Sequence, residues 1–307
     1  MDNFAVILLV LLLGTLNTVQ CQYEETKSED FEGSSPSDDI PEEEKYTVSA
    51  LIERANKNVG QELDDPEIIE GDIAVDTRLR NADPCTSRSS GSCKWRLKNG
   101  IVRVPYIISS QYTPLERATI LWVMDSFARN SCIRFVPYPP RPKSLDHLYI
   151  KSSTGCWSYV GRRGRRQIVS LSRQGCLHFN VIQHQLLHVL GFHHELSRSD
   201  RDMHVRILYE NLRGGGHFKK IKTNNLGTPY DYGSVMQHSR YAFSRNGKPT
   251  IVPIPDTNVP IGKATHMSHW DIIRIQRLYG CVVRPKERRI FQLNEFISPG
   301  GHPGFRK

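Results

Sequence analysis

An α+β domain is what this sequence predicts, on three observations: runs of period-two alternation that read as strands, longer stretches with helical spacing and caps, and cysteines spread through both. VRVPYIIS, IRFVPY, LYIKSS and QIVSLS read as strands. The first helix, in TPLERATILWVMDSFARNSC, places Pro114 in its opening turn and apolar residues at Ile120, Val123 and Phe127. A second helix begins near Leu177 and is stopped by Gly191. In SHWDIIRIQRLYGC, Ser268 is the N-cap, Asp271 follows three residues on, and Gly280 lies past the last turn.

The segments before this domain differ from it in character. Met1 and Asp2 lead into AVILLVLLLGTL, an apolar core of about a dozen residues, too short to span a bilayer and placed where a secretory signal belongs. Residues 1–21 therefore read as a signal peptide cleaved near Cys21, although no Lys or Arg precedes the apolar run. Residues 22–80 form an acidic pro-segment with 18 Asp and Glu against 6 Lys and Arg, whereas residues 81–307 hold 13 against 35. A segment of balance −12 ahead of a domain of +22 suggests that the first lies on the second. A solvated arm accounts equally well for the EGSSPSDDIPEEE stretch. The basic domain is suited to an acidic or glycan-rich extracellular matrix. Nucleic acid is disfavoured, because secretion removes the opportunity and no aromatic-plus-basic stacking motif is present. Processing is expected after Arg80, where IIEGDIAVDTRLR gives way to NADPC and Asn81 becomes the new N-terminus. The 26 residues after Cys281 are a basic tail too short for another domain, with no membrane anchor, and the chain shows no internal repeat and no Asn-x-Ser/Thr acceptor.

With Cys21 removed, six cysteines remain, at 85, 93, 132, 156, 176 and 281, an even number that reads as three disulfides in a secreted chain. Six cysteines permit fifteen pairings, so the sequence alone defines no connectivity. The close spacing of Cys85 with Cys93 and of Cys156 with Cys176 favours local loops, which would leave Cys132 and Cys281 to join distant parts.

The chemistry concentrates in HQLLHVLGFHHELSRSDRD, residues 184–202. His184 and His188 are four apart, so one helix face presents both imidazoles to a single ion. Gly191 can adopt a left-handed conformation that swings the chain back and brings His194 to the same ion. Three histidines at this spacing, with Gly between, are a far more specific metal signal than a helical pair. One residue departs from the hydrolytic pattern His-Glu-x-x-His: position 185 is Gln.

The run HxxxHxxGFHHELxRxDRD, followed by YDYGSVM at residues 230–236, resembles the astacin family of metzincin zinc endopeptidases. NADPC, GCWSYVGRRGRRQIVSLSRQGC, DRDMHVRI and TNNLGTPYDYGSVM are similar in particular to the six-cysteine hatching enzymes, which digest egg envelopes. The resemblance covers roughly residues 81–281. It implies a two-lobed α+β domain with a mixed sheet above the active-site helix, one Zn2+ ion, and disulfides Cys132–Cys281, Cys156–Cys176 and Cys85–Cys93. Carried onto this chain, His184, His188 and His194 become zinc ligands and Met236 the floor of the Met-turn. Glu195 takes the place of the carboxylate that meets the new N-terminus. Asp72, in EGD, takes that of the pro-segment residue that fills the open zinc position. Two residues depart from the family pattern. Gln185 stands where a Glu acts as general base, and His238 where a Tyr touches zinc and steadies the transition state. An amide cannot accept that proton, and a missing base costs about 10²- to 10⁴-fold. His238 either adds a zinc contact or only lines the cleft. Three functions stay in view: an impaired relative, a slow working endopeptidase, and a protein that binds extracellular or egg-envelope proteins without cutting them.

Overall fold

The structure, a computed structural model, describes residues 40–61, 65–75, 93–140, 144–214 and 218–282. The expected signal peptide, the Arg80 junction, Asn81, Cys85 and the tail from 283 lie outside the described residues.

Local sequence explains the main elements. Helix α1 (Val48–Ala55) is capped by Thr47, whose side chain accepts from the Ala50 amide, and buries Val48, Leu51 and Ile52. Two short strands follow, β1 (Glu67–Ile69) and β2 (Ile73–Val75), paired antiparallel around the three-residue turn Glu70-Gly71-Asp72. Strand β3 (Leu97–Lys98) turns through Asn99-Gly100, both with positive φ, into β4 (Ile101–Ile108). Asn-Gly is the dipeptide that two-residue hairpins favour, because both central residues must be left-handed. Helix α2 (Pro114–Asn130) opens on a capping box between Thr113 and Glu116, with Pro at its start. Its residues Ile120, Val123, Met124 and Phe127 recur at helical spacing and are all buried.

Strands β5 (Ile133–Pro137), β6 (His147–Lys151), β7 (Cys156–Ser158) and β8 (Arg166–Leu171) complete an eight-stranded mixed sheet. Its order is β1-β2-β7-β8-β6-β4-β3, with β5 also paired to β4. β4 runs parallel to β5 and β6, and β6 parallel to β8, whereas β7 runs antiparallel to β8. The hairpin β1–β2 joins this sheet where Ile73 pairs with Ser158 of β7. Helix α3 (Phe179–Val189) packs with α2 against one sheet face in a core that includes Val102, Val104, Leu148, Ile150, Ile182 and Leu186. A second cluster, around Leu196, Val205, Phe218, Tyr230 and Ile251, gathers about the short pair β9 (Val205–Ile207) and β10 (Ile251–Pro253). Helix α4 (His269–Tyr279) has a capping box between Ser268 and Asp271 and ends at Gly280 in a left-handed conformation.

Disulfides join Cys132 to Cys281 and Cys156 to Cys176, closing intervals of 149 and 20 residues. In the chain-entropy picture such loops contribute on the order of 5 and 3 kcal/mol by restricting the unfolded chain. Cys93 is also disulfide-bonded.

The described part of the acidic segment is held more by packing than by charge. α1 sets its apolar stripe into the main core. Asn56 reaches the backbone of Gly71 and Cys156, and Ser49 and Glu53 accept from the amides of Ser239 and Phe243. The ion pair Lys263–Glu44 and the longer one between Arg213 and Glu53, at 2.8 and 3.9 Å, are peripheral.

Candidate metal centre

Helix α3 delivers His184 and His188 from one face, and Gly191, at φ 101°, turns the chain so that His194 follows just before a 3-10 turn (Glu195–Ser197). His184 Nε2 lies 3.1 Å from His188 Nε2 and 3.3 Å from His194 Nε2. The fourth group comes from the β1–β2 turn. Asp72 Oδ2 lies 2.9 Å from His184 Nε2, and Oδ1 lies 3.1 Å from His194 Nε2 and 3.4 Å from His188 Nε2. Ligands at 2.0–2.1 Å around a tetrahedral zinc stand about 3.3 Å apart, which is the spacing of these donors.

The hydrogen-bond partners test the fit independently. His184 Nδ1 faces Val235 O at 2.9 Å, His188 Nδ1 faces Phe192 O at 2.7 Å, and His194 Nδ1 faces Glu70 Oε2 at 3.0 Å. Each acceptor keeps a proton on Nδ1, so the three Nε2 atoms, turned toward one another and toward a carboxylate, are the ones left to ligate an ion. Asp72 Oδ1 is buried without a hydrogen-bond donor. Apart from the Gln185 amide on Asp72 Oδ2, the converging atoms are acceptors that suit a cation, and the donor set fits one zinc ion. Burial would raise the Asp72 carboxyl, but the attraction of His188, His184 and His194 holds it well below the usual range. Burial would lower His194, yet Asp72 and then Glu70 push it up to about 9, so without an ion its Nε2 holds a proton that a bound cation displaces; for His188 burial prevails over Asp72 and takes it down to about 4.

Gln185 is fully buried beside the cluster, and both ends of its amide are engaged. Its Oε1 accepts from Ser158 Oγ at 2.9 Å, and its Nε2 donates to Asp72 Oδ2 at 2.6 Å. His238 is buried with its ring edge-on to His194 at 4.4 Å between centroids, and is not one of the four converging donors. Its Nδ1 has no hydrogen-bond partner. Met236 is buried in the turn beneath, where Val235 O holds His184 and Met236 O accepts from the Glu195 amide at 3.1 Å. Asp271 fixes that turn, taking Ser234 Oγ at 2.6 Å and the Val235 amide at 3.0 Å while also capping α4. Glu195 pairs closely with Arg274, lies 3.6 Å from Arg198 and accepts from the Asp231 amide at 3.2 Å. Burial lifts its carboxyl to about 7 against the pull of those two arginines.

Sequence reasoning missed Glu70, Ser158 and the second role of Asp271. Glu70 accepts from both His194 and Ser197 Oγ, the latter at 2.6 Å. Its nearness to Asp72 in EGD was the available signal. Glu70 adopts φ 52°, and a Cβ on Gly71 would meet the Phe243 ring at 2.5 Å, so this turn needs Gly in the middle.

An α+β domain with a buried three-histidine centre of this spacing is a zinc-site protein of the metalloendopeptidase class. The sequence model of the astacin peptidase family matches residues 90–280, and the chain belongs to that family. It is 43% identical over 280 residues to the low choriolytic enzyme of Oryzias latipes, an alignment covering 90% of this chain and 98% of that one. To high choriolytic enzyme 1 of the same fish it is 46% identical over 238 residues, covering 76% and 84%. The solved structure of that hatching-enzyme zinc protease superimposes with a TM-score of 0.60 at 49% identity, covering 63% of this chain and 97% of the other. The astacin-like mixed-sheet fold and a single zinc follow from this membership.

Proposed function

We propose that this chain is a secreted member of the family, of the six-cysteine hatching-enzyme type, made as a zymogen-like precursor and strongly impaired in proteolysis. In this proposal residues 1–21 are the signal, 22–80 the pro-segment, 81–281 the protease-like domain with Cys85 bonded to Cys93, and 282–307 a basic tail. The observation that carries it is the Gln185 amide, donating to Asp72 and accepting from Ser158.

His184, His188 and His194 would hold the ion, each oriented through its Nδ1 by Val235 O, Phe192 O or Glu70. When bound, zinc supplies a Lewis acid and lowers the pKa of water toward neutrality. The remaining work belongs to side chains. Hydrolysis needs a base to take a proton from the attacking water and return it to the leaving amine. Gln185 stands where the family is expected to place that base, and a neutral amide, though its oxygen accepts hydrogen bonds, is too weak a base to take the proton at ordinary pH. Asp72, in the pro-segment, would close the fourth position until processing frees Asn81 to approach Glu195. His238 replaces the expected Tyr and offers a neutral, buried imidazole, because burial pushes its pKa well below the usual value.

The intact ligand set favours a second reading, a working endopeptidase that cuts slowly, and the names of the choriolytic relatives suggest egg-envelope proteins as its substrates. A non-catalytic binder of such proteins is the third. Metal analysis and peptide cleavage on protein processed to Asn81 separate them, with Gln185→Glu/His238→Tyr as positive control. The expected result is about one zinc per chain with cleavage at least about 10²-fold below the control. Equal cleavage would favour the working enzyme, and absence of zinc from protein never exposed to chelator would remove the basis of all three.

A further inference from the structure

The large sheet has a second face whose charge the metal centre does not explain. Val102, Val104 and Ile108 of β4 enter the core shared with α3, so the alternate residues point away from it. Arg103 stands on that outer face, directly across from Arg134 of β5. On the other side Lys98 of β3 pairs with Ile101, which shares a face of β4 with Arg103, and Arg96 immediately precedes β3. Arg103, Arg134 and Lys98 thus bring basic groups from three neighbouring strands to one face, with Arg96 just ahead of β3. Arg96, Lys98 and Arg103 are exposed and Arg134 is half-buried.

Like charges opposite one another in a sheet are destabilising, and a carboxylate neighbour is the usual remedy. Among the described residues no carboxylate pairs with any of these four. Elsewhere the surface does supply such partners, as in Arg173–Glu116 at 2.9 Å, Arg129–Asp125 and Arg162–Asp146. Arg134 is also steadied: its Nη1 donates to Ser131 O and Ile133 O, both at 2.8 Å, which keeps the guanidinium at the face. Further along the same face Arg166 lies over the Tyr149 ring, 5.4 Å from its centroid.

We infer that this outer sheet face binds a sulfated, extended polysaccharide. Uncompensated guanidinium groups in neighbouring rows repel one another until an anion lies between them, and their forked donors match sulfate and carboxylate groups. The face is an open pleat and not a cleft, which suits a chain laid across it better than a folded acidic loop. Nucleic acid fits less well, because both nearby rings are already engaged, Tyr149 under Arg166 and Tyr138 stacked on His147. The face lies on the side of the sheet away from α3, so a docked glycan leaves the histidine cluster uncovered. Glycan binding there is independent of whether Gln185 abolishes proteolysis.

The test measures binding of the full chain to heparin as a function of salt. Arg103→Glu/Arg134→Glu is compared with Arg206→Glu/Lys248→Glu, an exposed pair in the other lobe that changes net charge equally. The face pair is expected to lose about tenfold or more in affinity at fixed salt and to reduce the slope of log K against log salt by about two, the control pair by much less. Arg103→Gln/Arg134→Gln repeats the comparison with little steric change should charge reversal disturb folding. Equal losses in face and control pairs would overturn the proposal. So would polyglutamate or single-stranded DNA binding as tightly as heparin at the same charge concentration.

Discussion

At residue 185 both ends of one amide are committed, Oε1 to Ser158 and Nε2 to Asp72. A carboxylate in its place would set two acceptor-only groups against each other with no donor between them. Gln185 therefore has two proposed consequences: it removes a base, and it fastens the turn that carries Asp72. If Asp72 closes the metal site, Asp72→Ala in the full chain should leave zinc bound while admitting a hydroxamate inhibitor. Hydroxamate affinity unchanged by the substitution would show that Asp72 is not the closure. Glu70 orients His194 from the same turn, so Glu70→Ala should weaken zinc binding about 10- to 100-fold in the full chain, read by chelator competition. Protein processed to Asn81 lacks Glu70 and should show no such difference. The three histidines were legible because ligation by a helix turn and the following loop is local and rigid in spacing. Glu70, Ser158 and the Met-turn role of Asp271 were not, because their partners lie 124, 27 and 36 residues away.

Among elements, the caps were the most legible: Pro114, Ser268, Asp271 and Gly280 act where local chemistry places them. Strands β4, β5, β6 and β8 were also readable from alternation, whereas β7, β9 and β10 are three-residue pieces too short to show a period. Helix α1 was hidden for another reason. Its apolar stripe is only Val48, Leu51 and Ile52 within eight residues, and the acidic sequence around it reads as solvated. The helix depends on burial against the main core, since a helix this short is marginal alone. Leu51→Ala should cost about 2–5 kcal/mol of that docking. Limited proteolysis should then cut within residues 40–75 much faster while the domain from 93 onward resists. Equal protection of the segment would mean that its polar contacts with Gly71, Cys156 and Ser239 suffice.

For the whole molecule, the α+β class was legible but sheet order was not, because parallel pairings such as β4 with β6 join segments some forty residues apart and leave no local trace. The opposed charges of the two halves suggested contact, yet the contact in residues 40–75 is largely apolar and hydrogen-bonded: the pairs Glu44–Lys263 and Glu53–Arg213 are peripheral, and Glu70 and Asp72 face the histidines of the metal centre and not the Lys and Arg excess of the domain. The Cys132–Cys281 bridge ties α4 to the end of α2, where Gln276 also donates to Asn130 O at 2.8 Å. Replacing both cysteines by Ala should lower unfolding free energy by about 2–5 kcal/mol, measured by denaturant titration, and lower the thermal midpoint of the zinc-loaded protein. An unchanged midpoint would show that helix packing alone holds that end.

The central proposal, a zinc site kept and a base lost, is tested most directly by one comparison: the rate of peptide cleavage per bound zinc in protein processed to Asn81, with Gln185 or with Gln185→Glu. Zinc content should be about one in both, and the Glu variant should cut at least about 10²-fold faster. Equal rates per zinc would contradict the proposed impairment.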